Sequence, residues 1–329
     1  MAGTAYIAAI RRASAQQSRS PKRLAIFSPF EAAEVMREDG AGIGYLTFFA
    51  ELRRFGWIEG ATLAVERYGK ERNVNVGDLG ALADAAMRGM PDVIYAIGPG
   101  VFDIKDHAGT TPLVTFTYDP IALGLTENLA HPGGSITGIS VDTGPTIWGK
   151  RIELLREMLP SLSKLAFLSL RTPAWDRFLR PAVAAACDAA RLSLIPVLID
   201  LPPLPEAYRR GIEAAARDGA DAIMIAENPE TLSNAPAILE AVTAARLVAM
   251  YALRAFVDAG GLIAYTPDPD ELNRRSAADI DAILRGVKPG DIPYFQGTKF
   301  NLFINLKTAK ALGLTVPQLL LAQADEVIE

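Results

Sequence analysis

The sequence predicts an α/β protein built from two doubly wound parallel-sheet lobes. The chain has 329 residues, 50% of them hydrophobic, and at roughly 150 residues per domain this length favours two domains. From Lys22 onward, short apolar runs alternate with longer alanine-rich stretches of helical spacing. This alternation is typical of βαβ units and parallel sheets. Uninterrupted apolar runs, such as AIMIA at 222–226, indicate strands that are covered on both faces.

The first half of the chain is predicted to form five strands and two helices. The stretch GYLTFFAELRRFGW has helical spacing, because Leu46, Phe49 and Leu52 would lie on a different helix face from charged residues such as Arg53. The apolar run DVIYAIG ends in Gly-Pro-Gly, and PLVTFTYD ends in Asp-Pro, both of which stop strands. The predicted strands are 23–28, 62–68, 92–98, 112–119 and 135–142, and the predicted helices are 44–57 and 79–89.

The second half repeats this rhythm, with Pro160 stopping its first helix. We take the apolar strand that stops at Tyr265 as the last strand of the second lobe, and we predict a helix from Glu271. Between them, Pro267 and Pro269 restrict φ and bias the residues before them to extended shapes. The predicted strands are 164–170, 193–200, 221–227, 246–252 and 260–266, and the predicted helices are 149–160, 181–192 and 208–219.

Composition argues against several classes of function. A net charge of −5 disfavours a nucleic-acid partner, which would require a basic surface. No apolar run reaches the length of about 18 residues that a membrane helix needs. Cys187 is the only cysteine, so neither a disulfide nor a cysteine metal cage is expected. His107 and His131 lack the neighbours of a metal site, and no G-x-S-x-G motif is present. We therefore expect no catalytic residue, metal or cofactor.

Two glycine-containing stretches fail as nucleotide motifs. GPTIWGKR resembles a phosphate-binding loop, but Arg151 stands where Ser or Thr would bind magnesium. We interpret it as a turn and helix start with solvated Lys150 and Arg151. In AIGPGVFD the third glycine of a dinucleotide motif is replaced by Asp103, which would repel pyrophosphate. The Gly98–Gly100 turn remains open to two interpretations, a ligand-facing turn and a plain tight turn.

The strand ends carry the candidate site residues. Ligands of open α/β sheets bind beyond the carboxyl ends of the strands. Asp119 and Glu227 follow apolar strands directly, and a charge there must be held by a cation or water; a helix-capping Asp119 and a solvated Glu227 are the structural alternatives. The candidates are hydroxyls, aromatic rings, backbone donors and charges: Ser28, Gly98, Pro99, Gly100, Thr117, Tyr118, Asp119, Arg171, Thr172, Glu227, Asn228, Tyr251 and Tyr265.

Several long stretches resemble one known family. LRRFGWIEGATLAVERY, GLTENLAHPGGSITGIS, GKRIELLREMLPSLSKLAFL and the segment from FVDAGGLIAYTPDPDELN to LLLAQADEVI are similar to ABC-transporter substrate-binding proteins of the tryptophan/tyrosine type. The resemblance covers almost all of residues 23–329 and is most specific in the C-terminal third. It implies a type I periplasmic-binding-protein-like fold, in which two lobes close on a solute around three chain crossings. At Gly98–Gly100, Tyr118 and Arg171-Thr172 this sequence differs from the residues that relatives tend to carry, so the resemblance does not identify the solute.

The resemblance also implies a division of the chain. We expect an N-terminal lobe of residues 22–142 and 267–292 and a C-terminal lobe of residues 143–266 and 293–329. TPDPD is then the second crossing between the lobes, and DIPYFQGTKF is the third. The alternative for TPDPD is an ordinary loop. Residues 1–21 are excluded, because ASAQQ resembles an export cleavage site. We interpret them as a truncated or mis-started export signal, which implies a periplasmic protein, or as a disordered cytoplasmic tail.

The expected function is that of a solute receptor for an ABC importer, working as a monomer with membrane permease subunits and without enzymatic activity. Backbone donors at Gly98 and Gly100, with Thr117, would bind the carboxylate of an amino acid. Glu227 or Asp119 would bind its ammonium group, and the tyrosines would pack its side chain. Arg171 could instead bind an acid, which would make the ligand an aromatic or dicarboxylic acid. The alternative is an enzyme or a ligand-sensing module on the same two-lobed scaffold.

Overall fold

The computed structural model describes residues 20–29, 31–40, 42, 44–69, 79–121, 123–141, 145–172, 175–226 and 229–329. The strands are β1 (Lys22–Ser28), β2 (Leu63–Gly69), β3 (Val93–Ile97), β4 (Leu113–Thr117), β5 (Ile136–Ser140), β6 (Lys164–Leu170), β7 (Ser193–Ile199), β8 (Ala222–Ile225), β9 (Val248–Tyr251), β10 (Ile263–Pro267), β11 (Phe295–Gln296), β12 (Phe300–Asn305) and β13 (Glu326–Ile328).

The helices connect these strands, as the alternating sequence predicts. They are α1 (Tyr45–Arg54), α2 (Leu79–Arg88), α3 (Val101–Ala108), α4 (Pro145–Met158), α5 (Arg180–Ala189), α6 (Pro205–Arg217), α7 (Pro229–Ser233), α8 (Ala235–Ala244), α9 (Arg254–Asp258), α10 (Pro269–Leu284), α11 (Leu306–Leu312) and α12 (Gln318–Gln323). Short 3₁₀ turns span Gly98–Gly100 and Pro289–Asp291, and a π turn spans Trp175–Leu179.

The first sheet is parallel and buried on both faces. Within the described residues it joins six strands in the order β11-β5-β4-β3-β1-β2, with parallel pairings throughout. Along β1, Leu24 and Ile26 pack beneath α1 and α10, whereas Ala25 and Phe27 pack beneath α2 and α3. Burial of alternate side chains on opposite faces explains why the strand is apolar at consecutive positions.

The second sheet has the same construction with a mixed edge. The described chain places seven strands in it, in the order β13-β12-β10-β9-β8-β6-β7. β10 and β12 run antiparallel, and β12 pairs with β13 in parallel. The sequence-based assignment of the Tyr265 strand as the last one is therefore wrong. β12 was missed because FNLFIN follows a crossing directly, without the intervening helix that precedes most of the other strands.

The chain passes from one sheet to the other after β5, after β10 and after β11. α10 follows β10 of the second sheet but packs on α1 and on β3 to β5 of the first. The short β11 returns to the first sheet, pairing Phe295 with Ile139 and Gln296 with Ser140. Pairing with the first sheet thus extends past residue 292. The lobe boundaries at 142, 266 and 292 stay a proposal.

The segments after β10 and β11 are fastened to each other by the Glu271 carboxylate. One oxygen accepts hydrogen bonds from the backbone N–H groups of Thr298 and Lys299, at 2.8 Å and 2.9 Å, and the other accepts from the Thr298 hydroxyl at 2.5 Å. The Asp268 N–H also donates to the Lys299 carbonyl at 2.9 Å. Partial burial opposes ionisation, but these hydrogen bonds lower the pKa of Glu271 below its ordinary value. The two segments therefore form one cross-linked unit.

We expect Glu271→Ala to lower the free energy of unfolding by about 1–3 kcal/mol, because it leaves backbone donors of the cross-link without their charged acceptor. Urea denaturation at neutral pH measures this loss. Glu206→Ala is the matched control, since the exposed Glu206 pairs with no cation but Arg209 in the described part of the chain and its loss should change stability by less than about 1 kcal/mol. Equal effects of both substitutions would contradict the cross-link.

A buried carboxyl group, Asp279, lies on the inner face of α10. Its side chain is 3% exposed, and the Arg275 Nε atom lies 2.9 Å from Oδ1, although the Arg275 Nε–H is not aligned for a hydrogen bond. Its Oδ2 has no hydrogen-bond partner in the described part of the chain. Burial raises the pKa of Asp279 to about 7, against the opposing charge of Arg275. The folded chain therefore holds this proton more tightly than the unfolded chain does.

Asp279 should consequently make the free energy of unfolding fall as pH rises from about 4 to about 7, because over that interval this carboxyl group binds a proton more fully in the folded state than in the unfolded state. Asp279→Asn should flatten this dependence and raise stability at pH 7.5, as measured by urea denaturation at several pH values. The exposed Asp291 provides the control: Asp291→Asn should retain the wild-type slope. A slope that is unchanged in Asp279→Asn would refute the assignment.

Candidate ligand-binding site

Each sheet has one position where its strand order reverses. In the first sheet this position lies between β1 and β3, since β2 follows β1 on one side and β4 follows β3 on the other. In the second sheet it lies between β6 and β8. The chain leaves such neighbouring strands toward opposite faces, which opens a crevice at their carboxyl ends where ligands of α/β proteins bind. We call these the first and second switch points.

Three of the predicted residues, Ser28, Gly98 and Gly100, lie at the first switch point. Ser28 ends β1 and is buried, and the Gly98–Gly100 turn joins β3 to α3. The two loops touch, because a Cβ atom added to Gly100 would lie 2.4 Å from the Cδ atom of Pro29. Gly98 has φ +63°, a left-handed conformation that favours glycine. The side chain of Pro99 lies outside the described residues.

Gly100 is the N-cap of α3 and makes no side-chain cap hydrogen bond. The first N–H groups of a helix have no partner within the helix, and they attract anionic groups. The turn therefore combines a sharp glycine bend with backbone donors at the switch point. This geometry is compatible with the ligand-facing interpretation, which stays a prediction.

The Glu31 carboxylate, which is not among the predicted site residues, lies over the end of β1. Its Oε2 atom accepts hydrogen bonds from the Ser28 hydroxyl at 2.7 Å and the Tyr45 hydroxyl at 3.0 Å. Burial, with the neighbouring Glu31 carboxylate, raises the pKa of Tyr45 above its ordinary value, so the phenol remains a donor. The signal that could have found Glu31 is the one used for Asp119, namely a carboxylate close behind an apolar strand.

The end of β4 carries Thr117, Tyr118 and Asp119. Thr117 is buried, and Tyr118 is partly buried. The carbonyl oxygen of Tyr118 accepts a hydrogen bond from the Ser140 hydroxyl at 2.8 Å, which ties the β4 loop to β5. Asp119 accepts from the N–H of Ile121 at 2.9 Å through Oδ1. Asp119 therefore has the turn-capping contact that the sequence left open, and its ligand-binding role stays a prediction.

Arg171 and Thr172 follow β6 at the second switch point. The Arg171 guanidinium forms an ion pair of 2.5 Å with Asp200, which follows β7, and both side chains are exposed. An exposed pair of this kind contributes little to stability and leaves Arg171 exchangeable with another anion. The Thr172 carbonyl accepts from the N–H of Trp175 at 3.0 Å, where the π turn begins. The predicted residues Glu227 and Asn228 lie outside the described residues.

The two predicted tyrosines of the second sheet occupy different environments. Tyr251 is 1% exposed and stacks on Phe256, with ring centroids 4.8 Å apart, so the structure places its ring in the core and not with the strand-end side chains. Burial raises the pKa of Tyr251. Tyr265 is partly buried and stacks on Phe300 of β12 at 5.3 Å, beside the segments that Glu271 cross-links.

The expectation of a solvated Arg151 is wrong. Its side chain is 1% exposed, Nε donates to the Tyr265 carbonyl at 3.0 Å, and the guanidinium lies 5.0 Å from the Trp148 ring centroid. The reason is that α4 begins at Pro145, earlier than predicted, which makes Arg151 an interior residue of the helix on the face turned to β10. Tertiary packing thus joins a helix of the second sheet to Tyr265.

The described residues include no group of three or more His, Cys, Asp and Glu side chains that could hold a metal ion. His107 lies on the surface, with Nδ1 2.8 Å from the Asp103 carbonyl oxygen and Nε2 3.5 Å from Asp84. None of the helices in the described part of the chain is both long enough and apolar enough to cross a membrane.

The comparisons with known proteins decide the family. A family model for the ABC transporter substrate binding protein matches residues 65–328, which is most of the chain. The chain belongs to this family. Comparison of the chain with curated proteins gives no match. The family assignment confirms the resemblance seen in the sequence.

Solved structures confirm the two-sheet fold of this substrate-binding protein. A conserved domain protein from Vibrio cholerae O1 biovar El Tor superposes with a TM-score of 0.81 at 21% identity, over 94% of this chain and 100% of that one. The ABC domain from Streptococcus pneumonia in complex with L-Trp superposes with a TM-score of 0.81 at 19% identity, over 94% of this chain and 100% of that one. The ligand-free, open CD0873 from Clostridium difficile gives 0.70 at 17% identity, over 93% and 99%. These identities establish a shared fold.

The first switch point of this substrate-binding protein should tolerate no side chain at Gly100. We expect Gly100→Ala to lower the free energy of unfolding by about 1–3 kcal/mol, because its Cβ atom would collide with the Pro29 ring. Gly149 of α4 is the matched control, since an added Cβ there meets nothing within 4 Å and Gly149→Ala should stabilise the helix by about 1 kcal/mol. Urea denaturation of both variants measures the contrast, and stabilisation by Gly100→Ala would refute the contact.

Proposed function

We propose that this substrate-binding protein is the solute receptor of an ABC importer, and that it captures a small solute by lobe closure and delivers it to permease subunits in the membrane. The observation that carries the proposal is the pair of switch points. Each sheet has one position at which its strand order reverses, which is where ligands of α/β proteins bind, and predicted site residues follow strands beside both positions. Family membership supports the receptor role.

Closure works by differential binding. A solute favours the closed state because both lobes contact it only there, whereas the open state offers contacts from one lobe. The Glu271 cross-link between the segments after β10 and β11 supports a hinge in which these two segments move together. The segment after β5 then provides the remaining connection.

We propose a small zwitterion or aromatic acid as the solute: an aromatic amino acid, another amino acid or an aromatic acid. The backbone donors at Gly98 and Gly100, with Thr117, bind its carboxylate, and Glu227 or Asp119 binds its ammonium group. Tyr118 and Tyr265 pack its side chain, since the Tyr251 ring is committed to the core. A solved structure of the same fold described as a complex with L-Trp supports this class of solute.

The receptor releases its solute unchanged and catalyses no reaction. We propose that it works as a monomer in the periplasm. This location suits a receptor that meets solutes before the permease does.

A thermal-shift screen with the standard L-amino acids and a set of aromatic acids tests the receptor. Ligand at 100 times its dissociation constant stabilises the folded state by about 2.7 kcal/mol, which gives a clear rise in melting temperature. Mass spectrometry should recover the solute unchanged after incubation. A chemical product, or no stabilisation by any compound of the screen, would count against the receptor.

The second-sheet ammonium contact is tested by Glu227→Gln. We expect this variant to bind amino acids at least tenfold more weakly, because an ammonium group loses a charge-assisted hydrogen bond. Binding of deaminated aromatic acids should remain unchanged in isothermal titration calorimetry. Unaltered affinity for amino acids would show that Glu227 does not contact the ammonium group.

A further inference from the structure

Glu31 is held in one orientation by two buried hydroxyl groups. Ser28 is 3% exposed and Tyr45 is 2% exposed, and both hydroxyls donate to the same oxygen, Oε2. The Glu31 N–H donates to the Ser28 carbonyl at 3.1 Å, so the chain turns back over the end of β1. Within the described residues Oε1 makes no hydrogen bond. The carboxylate is therefore fixed through one oxygen and leaves the other available.

No lysine or arginine of the described chain forms an ion pair with Glu31. Arg67, whose charge acts on the neighbouring Tyr45, is committed elsewhere. Its two terminal nitrogens each donate to Glu59 at 2.7 Å, and its Nε donates to the Met36 carbonyl at 3.0 Å. Glu31 is partly buried, and a carboxylate removed from water requires a cation or hydrogen-bond donors. Its two hydroxyl donors both serve Oε2 and leave Oε1 without a hydrogen-bond donor in the described residues.

The position of Glu31 relates it to the first switch point. Pro29, two residues before Glu31, is the residue that an added Gly100 side chain would strike. The Glu31 carboxylate accepts from the Ser28 hydroxyl at the end of β1, and the backbone donors at the start of α3 follow β3. Both groups therefore lie beside the first switch point. Donors for an anion beside an acceptor for a cation match an α-amino acid, whose carboxylate and ammonium groups are attached to the same carbon.

We propose that Glu31 binds the α-ammonium group of the solute, so that the first lobe alone holds the complete head group of an α-amino acid at the first switch point. The inference rests on the proposed receptor function. An ammonium group has three N–H donors, so Glu31 accepts one of them in the open state and a carboxylate of the second sheet accepts another on closure. The second lobe then selects among side chains.

The test compares amino acids with their deaminated analogues by isothermal titration calorimetry on the full chain. The probes are L-tryptophan, L-tyrosine and L-phenylalanine, and their analogues 3-indolepropionate, 3-(4-hydroxyphenyl)propionate and 3-phenylpropionate. Wild-type protein should bind at least one amino acid tenfold or more tightly than its analogue. Glu31→Gln should lower the affinity for that amino acid by about 10- to 100-fold, because a charge-assisted hydrogen bond is lost. The affinity for the analogue should not change.

Two further variants separate ligand binding from folding. Glu34→Gln removes an exposed carboxylate of the same loop and should leave all affinities at the wild-type value. Tyr45→Phe removes an orienting hydroxyl and keeps the buried ring. It should therefore lower the affinity for amino acids by a few-fold and leave the affinity for the analogues unchanged. Thermal unfolding of each variant without ligand checks that the fold is retained.

Specific outcomes overturn the inference. A role of Glu31 would be refuted if Glu31→Gln and Glu34→Gln bound amino acids with equal affinity. It would also be refuted if the analogues bound wild-type protein as tightly as the amino acids do. Neither result would contradict the receptor function. Absence of binding by all six probes would also refute a role of Glu31. The broader screen then decides the receptor function separately.

Discussion

Burial of both sheets on both faces is the constraint on which the rest of the structure depends. Along β1, adjacent residues enter opposite apolar layers, so the strand has no solvated face where polar groups could gather. Polar and charged side chains that serve a ligand must then follow the strands, at their ends. The strand order reverses between β1 and β3 and between β6 and β8, and ligands of α/β proteins bind at such positions.

Two glutamates show how the chain uses carboxylates without cationic partners. Glu271 accepts hydrogen bonds through both oxygens and joins the segments after β10 and β11. Glu31 accepts through one oxygen from two hydroxyls and keeps the other free of hydrogen bonds within the described residues. The first arrangement is complete and suits a structural role. The second has capacity for a further donor, which a solute ammonium group would supply.

Packed contacts hold the chain near the places where it crosses between the two sheets. α10 carries its cross-link at Glu271, at its first turn, and packs its apolar face on the first sheet. Arg151 of α4 reaches the Tyr265 carbonyl, so the helix after the β5 crossing also contacts the strand before the next one. These contacts tie the crossings to packed elements on either side.

The sequence by itself determined the alternation of strands and helices, the two sheets and the family, because apolar periodicity and long characteristic stretches are local properties of the chain. It also located strand ends, and hence Ser28, Gly98 and Gly100. Tertiary structure alone decided that Arg151 is buried, that the Tyr251 ring belongs to the core, and that β12 completes the second sheet. It also revealed the orientation of the Glu31 carboxylate, which depends on Tyr45, fourteen residues away in the chain. These features depend on contacts between distant segments, which no local pattern encodes.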